Sequence, residues 1–343
     1  MNNVLTIEFS LNNRTVQSVK NYVDRLALPL ILGLLLAISI GSFVQYYSNG
    51  LGLSYNDARW HLDIGRRVVE GLKPGLAQLG SVWLPLPHLL MVPTIWNDFM
   101  WHSGLAGTLP SMISFVATGI VIYLFLKRFG VDILGSVLGV VVFVANINVL
   151  YLQSTAMTEL LLLATMTAGI YKLVAWHRDS SIISLIHAAF FIMLSTLVRY
   201  EGWFLLFVAS GLILFHTIRT RGYKTAEGTV ILFGTLAAFG IALWLLWNLL
   251  IFKDPLYFAL GPFSARAQQA QLEQAGNLIT KGNLWLSFQT YMYALIFTSY
   301  MYQVIIGAVG AIVLWFDKSL PVGVRIASTA LFAPFLFNIL ALY

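Results

Sequence analysis

The sequence predicts an all-α protein, a bundle of helices that crosses a lipid bilayer about nine times. Three observations predict it. Hydrophobic residues make up 59% of the 343-residue chain and charged residues only 10%, against roughly 25% charged in a typical soluble domain. The mean hydropathy is +0.80. The apolar residues also fall into separate runs, most of them close to the roughly 20 residues that a helix needs to cross a bilayer.

In chain order, the N-terminal stretch up to about Lys20 is polar and too long for the basic region of a signal peptide. The apolar run after it exceeds a cleaved signal core and reads as a retained anchor. Spans are expected at 26–47, 105–126, 131–150, 157–176, 181–198, 202–218, 228–252, 301–316 and 321–343. The chain thus divides into a cytoplasmic segment, 1–25, and a transmembrane module, 26–343. Segments 48–104 and 253–300 are too long and too structured in composition to be plain linkers.

Lysine and arginine set the orientation. With the N-terminus inside, Arg14, Lys20, Arg25, Lys127, Arg128, Lys172, Arg178, Arg219, Arg221, Lys224, Lys318 and Arg325 lie on the cytoplasmic side. The short outer turns hold only Arg199. This places Asp57, Glu159, Glu201 and Asp254 together at the outer membrane face. A charge at membrane depth costs about 2.5–3.5 kcal/mol on insertion scales, so four acids converging on one face point to a site there.

Residues 56–72 alternate an apolar set (Trp60, Ile64, Val68, Leu72) with Arg59, Asp63, Arg66, Arg67 and Glu70. The pattern predicts an amphipathic helix lying in the membrane interface, with Asn56 and Asp57 placed to cap its first turn. The apolar run from Val82 to Trp96 carries Pro85, Pro87 and Pro93 and is too short to span, so it is expected to be re-entrant or interfacial.

These residues carry a resemblance. Asp57-Ala58-Arg59-Trp60-His61-Leu62, Gly65-Arg66-Arg67-Val68, Pro74-Gly75 and Trp83-Leu84-Pro85-Leu86-Pro87-His88 resemble the first outer loop of GT-C glycosyltransferases. The likeness is to the branch near family 39, which includes protein O-mannosyltransferases and the lipid A aminoarabinose transferase. Thr155-Ala156-Met157-Thr158-Glu159, Arg199-Tyr200-Glu201-Gly202-Trp203 and Asp254-Pro255-Leu256-Tyr257-Phe258 resemble three later pieces of the same family. Family members are usually longer, so the resemblance implies further sequence beyond Tyr343.

The resemblance implies transfer of a sugar from a polyprenyl-phosphate-linked donor to an acceptor hydroxyl on a glycan, lipid or protein. Transfer would take place with inversion, at the non-cytoplasmic face of the plasma membrane. Such chemistry needs a carboxylate base for the hydroxyl and positive charge for the leaving phosphate. Asp57 is expected to be that base, directly or through a bound divalent cation such as magnesium or manganese, and Glu159 is the second catalytic acid. Arg199, Glu201, His61, Arg59 and Asp254 are the expected substrate contacts, with Arg199 the best-placed cation for the phosphate. Each has a plainer reading. Glu159 suits the first turn of a helix, Arg199 could snorkel beside Glu201, and a histidine at a membrane boundary is more often structural.

Other classes are weaker. There is no cysteine, hence no disulfide and no thiolate metal site. The net charge of +6 lies beside apolar spans and points to membrane lipids and orientation rather than to nucleic acid. A transporter, or a non-catalytic partner in glycan or lipid assembly, is the main alternative. The sequence shows neither internal repeats nor Asp, Glu, Lys or Arg in mid-span, where a transporter carries them.

Overall fold

The protein is described here from a computed structural model that covers residues 13–343, with side chains from Leu26 onward. The reading of 1–25 as a cytoplasmic segment therefore falls outside the described residues. Every regular element among the described residues is a helix. α1 (Asn13–Ser48) is followed by α2 (Asn56–Val69), a 3-10 turn at Leu76–Leu79, α3 (Leu86–Ile95), α4 (Asp98–His102), α5 (Leu105–Arg128), α6 (Ile133–Val144), α7 (Ile147–Gln153), α8 (Glu159–Asp179) and α9 (Ile182–Thr196). Then come α10 (Glu201–Arg221), α11 (Tyr223–Phe252), α12 (Tyr257–Leu260), α13 (Ala265–Gln274), α14 (Leu284–Ser299), α15 (Met301–Phe316), α16 (Val322–Leu331) and α17 (Ala333–Leu342).

Six segments are long and apolar enough to cross a membrane: Leu26–Ser48, α5, α8, α10, α11 and the α16–α17 pair. Two further pairs qualify only when taken together, α6–α7 bent by 68° and α14–α15 bent by 111°. The candidate spans thus number six to eight among the described residues, against the nine expected. The shortfall has local causes. Asn146 stops the expected span 131–150 because its side chain accepts from the amides of Asn148 and Val149, capping α7 at a break. The span expected at 301–316 is one arm of a sharp bend whose other arm, α14, lies in what was expected to be an outer loop. The bend turns on Tyr300, a non-glycine residue at φ +62°. α9 has 15 residues, roughly 22 Å at 1.5 Å per residue, short for a bilayer core.

α8 lies at the centre, packed on α5, α9 and α16. Its Leu162, Met166, Ile170 and Leu173 form one core with Ile192 of α9, Leu205 of α10 and Phe233 of α11. Small residues let the helices close up, as is usual where lipid removes the hydrophobic drive for helix association. A Cβ on Gly240 would lie 2.5 Å from the Thr196 hydroxyl, and one on Gly169 would lie 2.8 Å from Ile192. Buried polar groups pair between helices. Ser39 of α1 donates to Gln153 Oε1 at 2.7 Å, and Gln153 Nε2 donates back to the Ser39 carbonyl at 3.1 Å.

Chain direction sets up the site. α5, α8 and α10 begin at one end of the bundle and finish at the other in Lys127-Arg128, His177-Arg178 and Arg219-Arg221. At that far end Arg128 faces Asp179 at 3.5 Å, Arg178 donates to the Arg128 carbonyl, and His177 meets His216 at 3.1 Å. The acids gather at the near end. The first long segment is packed down there: α2 sits on α3, and α3 on α5. α2 buries Ala58, His61, Leu62, Ile64, Gly65 and Val68, so it is half-buried in protein. Trp60 and Leu72, expected on the same apolar stripe as Ile64 and Val68, are exposed.

Candidate functional site

Three carboxylates stand in the first turns of three helices: Asp57 in α2, Glu159 in α8 and Glu201 in α10. Each is favoured there by the positive end of its helix dipole. All three line one cavity of about 430 Å³ together with His61, Trp83 and Arg199. Sequence reasoning thus brought five of its seven site residues to a single cavity.

Arg199 ties two of the acids together. Its Nη1 donates to Glu159 Oε1 at 3.0 Å and to the Thr158 hydroxyl at 3.3 Å, while Nε and Nη2 both reach Glu201 Oε1 at 3.1 Å. Burial pulls the guanidinium pKa down, but Glu201, Glu159 and Asp57 outweigh it and hold the pKa above its ordinary value. Arg199, expected as the best-placed cation for a phosphate, is thus paired with two carboxylates. The second Glu159 oxygen, Oε2, is buried without a partner and so awaits a donor. Asp57 makes no hydrogen bond or salt bridge to another described residue. It also does not cap α2, which starts from Tyr55 without a side-chain cap. With His61 neutral, the cavity carries three negative charges against one positive.

The first segment closes the cavity from the side. The Tyr200 hydroxyl donates to the Val82 carbonyl at 2.8 Å, and the Leu86 amide donates to the Leu197 carbonyl at 3.0 Å. These bonds clamp the Pro-rich stretch onto the Arg199 turn. Trp83 lies 4.2 Å from the His61 ring, between centroids. His61 Nδ1 meets His88 Nε2 at 2.8 Å. Burial lowers the His61 pKa to about 3, helped by His88 and Arg199. Burial likewise lowers His88 to about 4, opposed by the Leu84 backbone and helped by Arg67. Both rings are neutral at physiological pH.

Two expected contacts lie elsewhere. Arg59 donates to the Leu53 carbonyl at 2.6 Å and is exposed. Asp254 accepts from the Leu256 amide at 2.9 Å and shapes the turn before α12. Arg66 is held by Asp98, Glu70 and the carbonyls of Ile95 and Trp96. No known family model matches this chain, and no curated protein aligns with it significantly.

Beside the polar cavity runs an apolar groove of about 690 Å³, walled by Trp203, Phe204, Phe207, Phe258 and Phe337, with Arg266 at its edge. Cavity and groove share Val82, Tyr200 and Ala265. Neither Trp83 nor Arg266 stood out in sequence as a primary site residue. The first-turn position of Arg266 in α13, next to Phe258 and Phe263 in sequence, was the available signal.

A divalent cation was expected as one option at Asp57. Among the described residues, no group of three or more His, Asp or Glu is arranged to hold a metal ion. The cavity oxygens without a partner among the described residues are those of Asp57, Glu159 Oε2 and Glu201 Oε2, hard donors of the kind that suit magnesium or manganese. They make an incomplete site, which water and substrate oxygens would have to finish.

Proposed function

We propose that the protein is an inverting membrane glycosyltransferase of GT-C type, using a polyprenyl-phosphate-linked sugar at the outer face of the plasma membrane. The observation that supports this most is the joint between a carboxylate-lined polar cavity and an aromatic groove that share Val82, Tyr200 and Ala265. A donor with a charged, sugar-bearing head and an isoprenoid tail has that division of chemistry. Asp57 takes the proton from the acceptor hydroxyl. The hydroxyl oxygen then bonds to the anomeric carbon as the bond from that carbon to the phosphate oxygen breaks, and polyprenyl phosphate leaves with the electron pair. Because Glu159 and Glu201 occupy Arg199, the cation for that phosphate is Arg266, which is exposed, lines the groove and makes no hydrogen bond or ion pair with another described residue. A divalent cation, when bound by Asp57 and Glu159, would add positive charge at the same place.

The same reading counts α9 as the ninth crossing. α8 starts at the cavity with Glu159 and α10 starts there with Glu201, so the chain between them must return the length of α8. The bent pairs α6–α7 and α14–α15 support transport as an alternative. Their breaks hold Asn146 and Tyr300 rather than an Asp, Glu, Lys or Arg. The deciding experiment is reconstitution with a polyprenyl-phosphate-linked hexose and an acceptor glycan, measuring release of polyprenyl phosphate. Wild type should release it. Asp57→Asn, folded and melting like wild type, should lose at least about a hundredfold in rate. An unchanged rate in that variant rejects the assignment, and vesicle uptake without release would favour transport.

A further inference from the structure

At the end of the bundle away from the carboxylate cavity, two cations meet at one tyrosine. Arg128, the last residue of α5, lies 5.5 Å from the centre of the Tyr171 ring of α8, and the Lys172 ammonium lies 5.7 Å from it. Lys172 makes no hydrogen bond or ion pair with another described residue. Arg128 is held loosely, since its Nη2 reaches Asp179 only at 3.5 Å, against about 2.7–2.9 Å for a charge-assisted hydrogen bond. Asp132, four residues beyond Arg128, caps α6 by accepting from the Gly135 amide at 2.8 Å. Even with both acids counted, Arg128, Lys172 and Arg178 leave positive charge in excess.

The tyrosine joins these cations to an apolar groove. Phe125 packs against Tyr171, 5.8 Å between ring centroids. It lines a groove of about 260 Å³ with Val121 and Leu126 of α5, Thr167 and Ile170 of α8 and Leu331 of α16. The Thr167 hydroxyl is bonded within its own helix, to the Leu163 carbonyl at 2.6 Å, so water would find no partner there. From Arg128 back to Val121 is roughly 10 Å at 1.5 Å per residue, and the groove therefore runs inward along a helix long and apolar enough to cross a membrane. One turn of a helix about 10 Å wide and 5.4 Å long fills roughly 420 Å³, more than the groove holds. A hydrocarbon chain fits where water and a partner helix do not, and the positive charge at its mouth calls for a phosphate on the same molecule. A zwitterionic headgroup brings its own ammonium and leaves that charge unmatched. We propose that this is a binding site for an anionic phospholipid, its phosphate held between Arg128 and Lys172 and one acyl chain seated in the groove. A lone lysine near the end of a span snorkels to any headgroup; a second cation and a groove select one lipid. That lipid bridges α5 to α8, the helix that carries Glu159 at its opposite end. The site is independent of the transferase reading.

The test is native mass spectrometry of the full chain, delipidated in detergent and titrated with phosphatidylglycerol or phosphatidylcholine of identical acyl chains. The first phosphatidylglycerol should bind about tenfold more tightly than phosphatidylcholine, the worth of one charge-assisted hydrogen bond. Lys172→Gln breaks no hydrogen bond or ion pair between described residues and should erase that preference. Val121→Trp fills the groove, keeps the cations and should weaken both lipids; Thr167→Leu fills it less drastically if the tryptophan variant melts early. Equal affinities in the wild type, or a preference retained in Lys172→Gln, overturns the proposal. Undiminished binding in a folded groove-filling variant does the same, because the chain would then lie elsewhere. Displacement of the bound phospholipid by millimolar inorganic phosphate would make this a plain anion site and overturns it too.

Discussion

Arg199 donates to Glu159 across 3.0 Å, joining the turn before α10 to the first turn of α8, forty positions away in sequence. The same guanidinium holds Glu201, whose side chain is only 10% exposed. One cation thus keeps two helix starts in register around the cavity. Three carboxylates nonetheless outnumber that one cation around the cavity.

Arg199→Ala should destabilise the fold by about 1–3 kcal/mol. Removing one partner of a well-buried pair costs about 3–5 kcal/mol, and the partial exposure of Arg199 and Glu159, 35% and 30%, reduces that through solvent screening. Adding Glu159→Gln should recover part of the loss by removing one stranded charge. Thermal melts of the single and double variants in detergent read both numbers, and a double variant no better than the single rejects the clamp.

Arg266→Ala should behave differently, because Arg266 is exposed and makes no hydrogen bond or ion pair with another described residue. Its melting temperature should match wild type, while the KM for a polyprenyl-phosphate-linked hexose should rise about tenfold, the loss of a charge-assisted hydrogen bond of about 1.5 kcal/mol. An Arg266→Lys variant should recover part of this. Steady-state kinetics at several donor concentrations separate KM from kcat; an unchanged KM returns the phosphate to another cation.

Much of this was legible in the sequence, and the reasons are physical. Basic residues sort helix ends, so they placed Asp57, Glu159, Arg199 and Glu201 at one end of the bundle, where the structure finds them lining one cavity. Hydropathy reads length but not continuity. It could not see that Asn146 would cap α7 and break a span, or that Tyr300 would turn α14 against α15. Helical periodicity marked α2 correctly but assigned its stripe to lipid, because a window of one helix contains no information on α3. The commitment of Arg199 to two acids was half legible, since Glu201 is a near neighbour and Glu159 is not.

Stability should fall with acid because of the histidine pair. His61 and His88 titrate at about 3 and about 4 in the fold, against an ordinary 6.5. Their folded pKa values are depressed, so below pH 6.5 the unfolded chain takes up protons that the native state refuses. Unfolding then becomes easier as pH falls, over the window from about 6.5 to about 4. Melting temperatures measured from pH 7.5 to 4.5 should decline through that range. The His61→Gln, His88→Gln double variant should show a shallower slope, whatever its absolute stability; an equal slope would assign the acid sensitivity to other groups.

Gly202 offers the sharpest test of how closely fold and site are joined. A Cβ at this position would lie 2.3 Å from the Ser195 carbonyl oxygen and 2.4 Å from its carbon. That carbonyl accepts from the amides of Val198 and Arg199, at 3.1 and 3.2 Å, and so shapes the turn that aims Arg199. Backbone cannot swing aside as a long side chain can. Gly202→Ala should therefore cost about 1–3 kcal/mol, as overpacking does, and should also misplace Arg199 relative to Glu159. Gly211, in the same helix, has no atom within 4 Å of its missing Cβ. Gly211→Ala should leave activity alone and add about 0.5–1 kcal/mol, the usual gain from replacing glycine inside a helix. The two melting curves shift in opposite directions, and sugar release falls in Gly202→Ala alone, if α10 is seated on α9 as described. Equal behaviour of the two would mean that the close approach at Ser195 does not hold the turn.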